Sequence, residues 1–595
     1  MFLITTADER TWKNDEDIIF LGEWCKLYSR KHVWSELNYK VMDYPWDRPG
    51  AIKEGHDVCE RILESLIVKL TDYFNEIHEV KFSKRYWRII IGPWLVYYIS
   101  ALYDRYICLR IAFEKYPDLN TLCLSEKSYI TPIDYSNFKL LSTSDLYNLQ
   151  LYSQLIELMG YTMPERGFVI PNEVKTQMNI STGSIKKGFG HFKFFINALA
   201  DKLGSVFMDQ MYIPLQDVLK ITLMSKLRVW PILTDNSLSI LPNEINKKAR
   251  KKLLDLSDND SCDFFESLLI KTLPQNFPSV YIESYNIVRD YISKTYKNKP
   301  KAIISSTGWF FDESLKVLAA ESVEKGAKLL VTQHGGYFGT EANDLGKYHE
   351  LSICNNFFSW GWGNNDDIKI KPLPQPKLTK YRKMGLKNKS ISPTGLILHT
   401  STSFPRYLEL FRNVPVGPQT LTYYEDQFEF IRSLPLVIQR MMVIRPYPHH
   451  EYGWEQHQRF KDEFPNIKID DGSKNIQKMF EMCRLVICSD NQTLFLEAMS
   501  YNIPTLLFID IKHWKIQDEA VFYFQELERV GIFLNDSKTA AEKVVQVFND
   551  PSAWWYSVEV QSVREKFINK FALASDNWLN EWMDVLNMEK STTKI

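Results

Sequence analysis

Apolar residues recur three and four positions apart through VCERILESLIVKLTDYFNEI (58–77), which gathers them on one face of a helix. The same texture covers residues 51–115. Within it the run IIIGPWLVYYISALY (89–103) is apolar all round and bounded by Arg88 and Asp104. It is shorter than the roughly 20 residues a membrane-crossing helix needs, so it predicts a helix buried in protein. Residues 116–300 read as mixed and mostly helical, with loop-like breaks near 160–172 and 255–262.

A second pattern is made of short apolar runs that end in small or polar residues. It opens the chain at 2–6 and 18–21. It returns in KAIISST (301–307), AKLLVTQHGG (327–336) and NNFFSWGWG (355–363), with a helix expected at 312–325. It resumes in GLILHTSTS (395–403), LVIQRMMVIRPYP (436–448), NIKID (466–470), RLVICSDNQT (484–493) and PTLLFID (504–510). Strands alternating with helical stretches are the signature of a doubly wound parallel sheet. The segment 370–393, rich in Pro, Lys and Arg, reads as a linker. The expectation is therefore an α/β chain with two Rossmann-like domains facing a cleft. The first spans 1–375 with a large helical insertion at about 50–300, and the second spans 390–595. By analogy of fold, that is the architecture of many nucleotide-sugar transferases.

Composition narrows this only in part. The 72 Lys and Arg residues against 73 Asp and Glu give a net charge of −1, so no general basic field exists to hold nucleic acid. The eight cysteines form no CxxC pair, which argues against a zinc site or disulfide framework and for a reducing compartment. The start MFLITTADERTW lacks the pattern of a secretion signal. A cytoplasmic protein is expected, with room for peripheral contact at the cytoplasmic face of the inner membrane.

Five strand ends carry candidate chemistry. In RLVICSDNQTLFLEAM a buried strand delivers Ser489 and Asp490, and a helix opens near Asn491 with Thr493 and Glu497 in its first turns. Free N–H groups there suit a phosphate, and Glu497 could accept from ribose hydroxyls. A merely capped structural helix is the alternative. VIRPYPHHEYGW offers Arg445 as a phosphate or carboxylate fork, followed by His449. VTQHGGYFGTEANDLGKYHE sets Gln333, His334 and Gly335 at a strand end. Here His334 reads as a general base or a partner of the leaving group, with Glu341, Asp344 and Glu350 as alternative carboxylates. LHTSTSFPRY ends a strand in hydroxyls including Thr400 and Ser401, which an ST-turn explains nearly as well. TTADERTW places Asp8 after the first strand. No metal-ligand spacing stands out, and the glycines match neither GxGxxG nor a Walker loop, so no cofactor is expected.

Together FLITTADERTW, FLGEWCKLY, QHGGYFG, SWGWG, RPYPHHEYGW and SDNQTLFLEAMSYNIPTLLF resemble a transferase family encoded in bacterial O-antigen and surface-polysaccharide clusters. The QHG and the Ser/Thr-rich helix start also resemble capsule-type Kdo transferases and other GT-B enzymes that use CMP-activated sugars. In bacterial sialyltransferases of that architecture a His-Pro motif and a Ser/Thr element hold CMP. Here the His-Pro position stands as Arg445-Pro446 or Pro448-His449. The resemblance implies a metal-independent GT-B glycosyltransferase. Its donor would be a nucleotide sugar, with a CMP-linked ulosonate such as Kdo or a nonulosonic acid expected. Its acceptor would be a surface-polysaccharide or lipid-linked glycan. Arg445, His449, Ser489 and Thr493 would hold the donor. A sugar-nucleotide epimerase or hydrolase of the same shape, or a non-catalytic glycan-binding protein, are the alternatives.

Overall fold

The computed structural model describes residues 1–13, 15–168, 187–234, 244–257, 263–363, 368–387, 395–448 and 452–587. The chain begins with β1 (Phe2–Ile4), β2 (Ile18–Phe20) and β3 (Tyr39–Val41), which form a small parallel sheet of their own. Two-residue strands β4 (Cys123–Leu124) and β5 (Glu165–Arg166) pair separately.

The first large sheet comprises β6 (Val206–Asp209), β7 (Val229–Pro231), β8 (Ala302–Ser305), β9 (Lys328–Thr332), β10 (Asn356–Ser359) and β11 (Ile370–Pro372). Its order is β11-β10-β9-β8-β6-β7, and every pairing is parallel. The second comprises β12 (Leu396–Thr400), β13 (Met442–Arg445), β14 (Lys468–Ile469), β15 (Cys483–Cys488), β16 (Thr505–Phe508) and β17 (Phe533–Leu534). Its order is β14-β13-β12-β15-β16-β17, again parallel throughout. The unbroken apolar runs are explained by burial on both faces, since helices cover each side of a parallel sheet.

Eight helices matter below. They are α1 (Ala51–Ile77), α2 (Lys84–Lys115), α3 (Leu215–Met224), α4 (Leu345–Ile353), α5 (Pro376–Lys387), α6 (Gln419–Arg432), α7 (Thr493–Tyr501) and α8 (Trp578–Asn587). The apolar run 89–103 lies in α2 and is almost entirely buried. No helix among the described residues is long and apolar enough to cross a membrane.

Three features differ from the sequence pattern. The strands β6 and β7 lie inside the span read as a helical insertion, because four- and three-residue strands leave almost no periodicity. The segment read as a linker holds β11 and α5. Pro372 ends the strand and Pro376 takes the helix's first position, where a missing N–H costs nothing. Finally, the chain returns to the first sheet at its end. Trp578, Trp582, Met583 and Leu586 of α8 pack with Val206, Met208, Ile304, Leu330 and Phe358.

Candidate functional site

In an open parallel sheet, ligands bind beyond the strand ends where the winding reverses. In the second sheet that point lies between β12 and β15, so it falls at Thr400–Ser403 and at Ser489–Asp490. In the first sheet it lies between β6 and β8. The turn after β9, one strand over, carries Gln333, His334 and the glycines.

The two sheets meet at these ends. The Gly336 N–H donates to Thr493 Oγ1 at 3.0 Å, and Asn491 Nδ2 donates to Thr340 Oγ1 at 3.2 Å. A Cβ on Gly336 would lie 2.6 Å from the Gln492 carbonyl carbon and 2.7 Å from the Thr493 nitrogen. Only glycine permits so close an approach. The strand-end turn of one sheet therefore covers the start of α7 in the other, and the Thr493 hydroxyl is engaged by protein.

Several expected ligand contacts are engaged in the same way. Ser489 is fully buried, and its Oγ donates to the Thr400 carbonyl at 2.8 Å and meets Tyr423 Oη of α6 at 2.6 Å. It ties β12, β15 and α6 together. The Arg445 guanidinium donates to Asp470 at 2.7 Å and to the Lys474 carbonyl at 3.1 Å. Ser401 Oγ accepts from Gln456 at 2.7 Å. Glu497, deeper in α7, forms an ion pair with Lys377 of α5 at 2.5 Å. Gln333 accepts from the Trp360 N–H and from Trp362 Nε1, and donates to the Gly335 carbonyl. Asp8 caps a short turn and binds Arg10 Nε at 2.8 Å. Asp344 caps α4, accepting from Gly346 and Lys347. His449 lies outside the described residues.

Other groups are buried without such partners. Thr400 Oγ1 and Asn491 Oδ1 have no hydrogen bond among the described residues. Asp490 accepts only the Gln492 N–H, and burial pushes its carboxyl up to about 6. Glu350 of α4 is fully buried, and neither of its oxygens accepts a hydrogen bond. His334 Nδ1 stands 3.6 Å from Glu350 Oε1. Burial, reinforced by nearby Asp344, holds the Glu350 carboxyl well above the usual range, and burial lowers the His334 imidazole to about 4. An isolated carboxylate in such surroundings would be costly, so the pair keeps its proton and carries no net charge.

Beside this junction lies a cavity of about 150 Å³. The loop after β12 forms much of its wall, and Gln492, Tyr447 and Tyr452 close one side. Two cations line it. Arg412 lies 4.7 Å over the Tyr337 ring, with its Nε 3.3 Å from Glu341. Lys139 pairs with Glu409 and lies 4.2 Å over the Tyr97 ring. Burial pushes Glu341 up to about 7, with the Arg412 guanidinium opposing that rise. This cavity brings together the Lys139–Glu409 ion pair, the Arg412 guanidinium paired with Glu341, the hydroxyls of Thr402 and Ser403, and the residue that precedes α7. Among the described residues, no group of three His, Cys, Asp or Glu side chains could hold a metal ion.

Sequence reading passed over Arg412, Lys139 and Glu409. The first had a signal, for RYLELFRNVPVGP is a Pro- and Gly-bearing loop directly after a switch-point strand. Lys139 had none, because its place in the cavity depends on a fold contact 270 residues away in sequence.

A profile of the LIC12162 family transferases matches residues 1–586. The chain belongs to that family. No curated protein matches it. Solved structures resemble it distantly. TarM matches at 14% identity over 51% of this chain and 58% of that one, with a TM-score of 0.33. MurG of Acinetobacter baumannii matches at 9% identity over 64% and 99%, with a TM-score of 0.34. HepE of Anabaena, solved with UDP and glucose, matches at 12% over 65% and 100%, with a TM-score of 0.34. At these values the likeness says nothing of ligand or reaction. What family membership adds to the geometry is the word transferase.

Proposed function

We propose that this protein is a glycosyltransferase of the two-domain GT-B type, moving a sugar from a nucleotide-activated donor to a glycan or lipid-linked acceptor. The observation that carries the reading is the cavity with Arg412 and Lys139 beside the junction of two parallel-sheet switch regions. The cations and the start of α7 meet the charge of the donor phosphate. The motif resemblance favours a CMP-linked ulosonate as donor. Thr400, Asn491 and Asp490, which lack full hydrogen bonding within the protein, are the groups left for nucleotide or sugar hydroxyls. Ser489, Thr493, Arg445 and Glu497 support them by fixing the strand ends and α7.

In the reaction the bond from the anomeric carbon to phosphate oxygen breaks, and its electrons stay with the phosphate. The acceptor oxygen bonds to that carbon and gives up its proton. His334, in a pair that keeps its proton at neutral pH, donates a hydrogen bond to the departing phosphate. Glu341 is the carboxylate matched to take the acceptor's proton, since a base works best with a pKa near the working pH. Nucleotide release measured with and without a glycan acceptor tests the reading. Release that depends on acceptor, and falls by on the order of 10²-fold in Glu341→Gln, supports it. Equal release without acceptor would make the protein a hydrolase.

A further inference from the structure

Helix α3 buries Val218 and Ile221 beneath it and turns its other apolar residues outward. Leu215, Leu219 and Leu223 are 72%, 50% and 70% exposed. Their spacing of four places them in one stripe along the helix. Tyr212, just before α3, is 50% exposed. Beyond the helix, Lys226 and Leu227 both take left-handed backbone conformations, at φ 54° and 64°, and both are exposed. A monomeric protein rarely shows contiguous leucines in this way without a partner.

The occupant is indicated by charge and position. Between 212 and 228 stand three cations, Lys220, Lys226 and Arg228, against one carboxylate, Asp217, which pairs with Lys220 at 2.7 Å. All three cations are exposed. Across a twofold contact between two copies, this excess would face itself and repel. Against anionic headgroups it is complementary, and an apolar stripe edged by Lys and Arg is the pattern of a helix lying in a membrane interface. The stripe also starts at the mouth of the site. Tyr212 follows β6, its carbonyl accepts from Gln375, and its ring lies 6.3 Å from that of His334.

We propose that α3 and the turn after it dock the protein on an anionic lipid surface, leucines in the acyl boundary and Lys226 and Arg228 at the headgroups. A lipid-linked acceptor would then arrive at the Tyr212 side of His334; that placement rests on the glycosyltransferase reading above, whereas the docking does not.

Sedimentation with vesicles tests it, using the full chain, phosphatidylcholine alone and phosphatidylcholine with 30% phosphatidylglycerol, about the anionic fraction that gives a strong surface potential. The protein should pellet with the anionic vesicles, less so as salt is raised. Leu219→Glu with Leu223→Glu should weaken that binding at least tenfold, and Lys226→Gln with Arg228→Gln should weaken it only at low salt. The leucine variant should keep the wild-type melting temperature, since Leu219 and Leu223 are exposed. Failure of the wild type to pellet, or unchanged pelleting of the leucine variant, would overturn the proposal. So would a wild-type dimer in light scattering that the leucine variant converts to monomer, since the stripe would then belong to a second copy. Loss of vesicle binding with normal nucleotide binding would leave the functional reading standing.

Discussion

At the scale of single residues, the informative groups are buried ones that the protein leaves under-bonded. Asp490 accepts one backbone N–H, and burial raises its carboxyl to about 6. The unfolded value is near 3.9. Between about pH 4 and 6 the native state therefore holds more protons than the unfolded one, so stability falls as pH rises through that window and the cost is complete above it. Asp490→Asn should stabilise the protein at pH 7 by on the order of 2–3 kcal/mol and much less at pH 4. Urea unfolding at the two pH values checks this, and an equal effect at both would show that Asp490 is ionised at no such cost. His334 belongs to the same class. His334→Ala should lower turnover about 10²–10⁴-fold with little change in melting temperature. Turnover in the wild type should fall as pH rises far enough to ionise the His334–Glu350 pair. Glu350→Gln should remove that limb, and Glu341→Gln should remove the rise toward pH 7 that a Glu341 base produces; a falling limb unchanged in Glu350→Gln would take the pair out of the reaction.

At the scale of elements, the turn after β9 and the start of α7 act as one unit. Gly336→Ala pushes a methyl group against backbone atoms 2.6–2.7 Å away, and neither can yield as a flexible side chain would. It should cost roughly 1–3 kcal/mol, the range for overpacking, and reduce nucleotide affinity by parting the sheet ends. Gly326→Ala, which meets nothing within 4 Å but carries a φ of +91°, is the control for backbone strain alone. The strands that flank these turns were plain in the sequence, since β9, β12, β15 and β16 are apolar runs ending in polar turns. The helix buried at 89–103 was equally plain. Pattern could not assign partners. SDNQT reads as a phosphate site because strand ends and helix starts are hydrogen-bonding groups, but only the fold reveals that Gly336 and Tyr423 already answer Thr493 and Ser489. Short strands such as β6 and β7, and a cation such as Lys139 brought in from another helix, leave no local trace.

At the scale of the whole molecule, two parallel sheets are joined twice, once through β11 and α5 and again where the chain returns to pack α8 on the first sheet. The contacts that cross between the strand ends, Gly336 to Thr493 and Asn491 to Thr340, are the ones a ligand bound by both sides can reinforce. A ligand bound by both sides raises the stability of the closed form in proportion to the logarithm of its concentration over its affinity. In the proposed glycosyltransferase the cavity beside the junction holds the phosphate of a nucleotide. Thermal unfolding of the wild type and of Arg412→Ala with CMP, CDP, UDP and GDP, each over a concentration series, tests it most directly. At least one nucleotide should raise the wild-type melting temperature progressively. Arg412→Ala, folded and cooperative on its own, should lose about 1.5–3 kcal/mol of that binding, the range for hydrogen bonds to charged groups. No shift with any nucleotide, or an equal shift in a folded Arg412→Ala protein, would contradict the assignment.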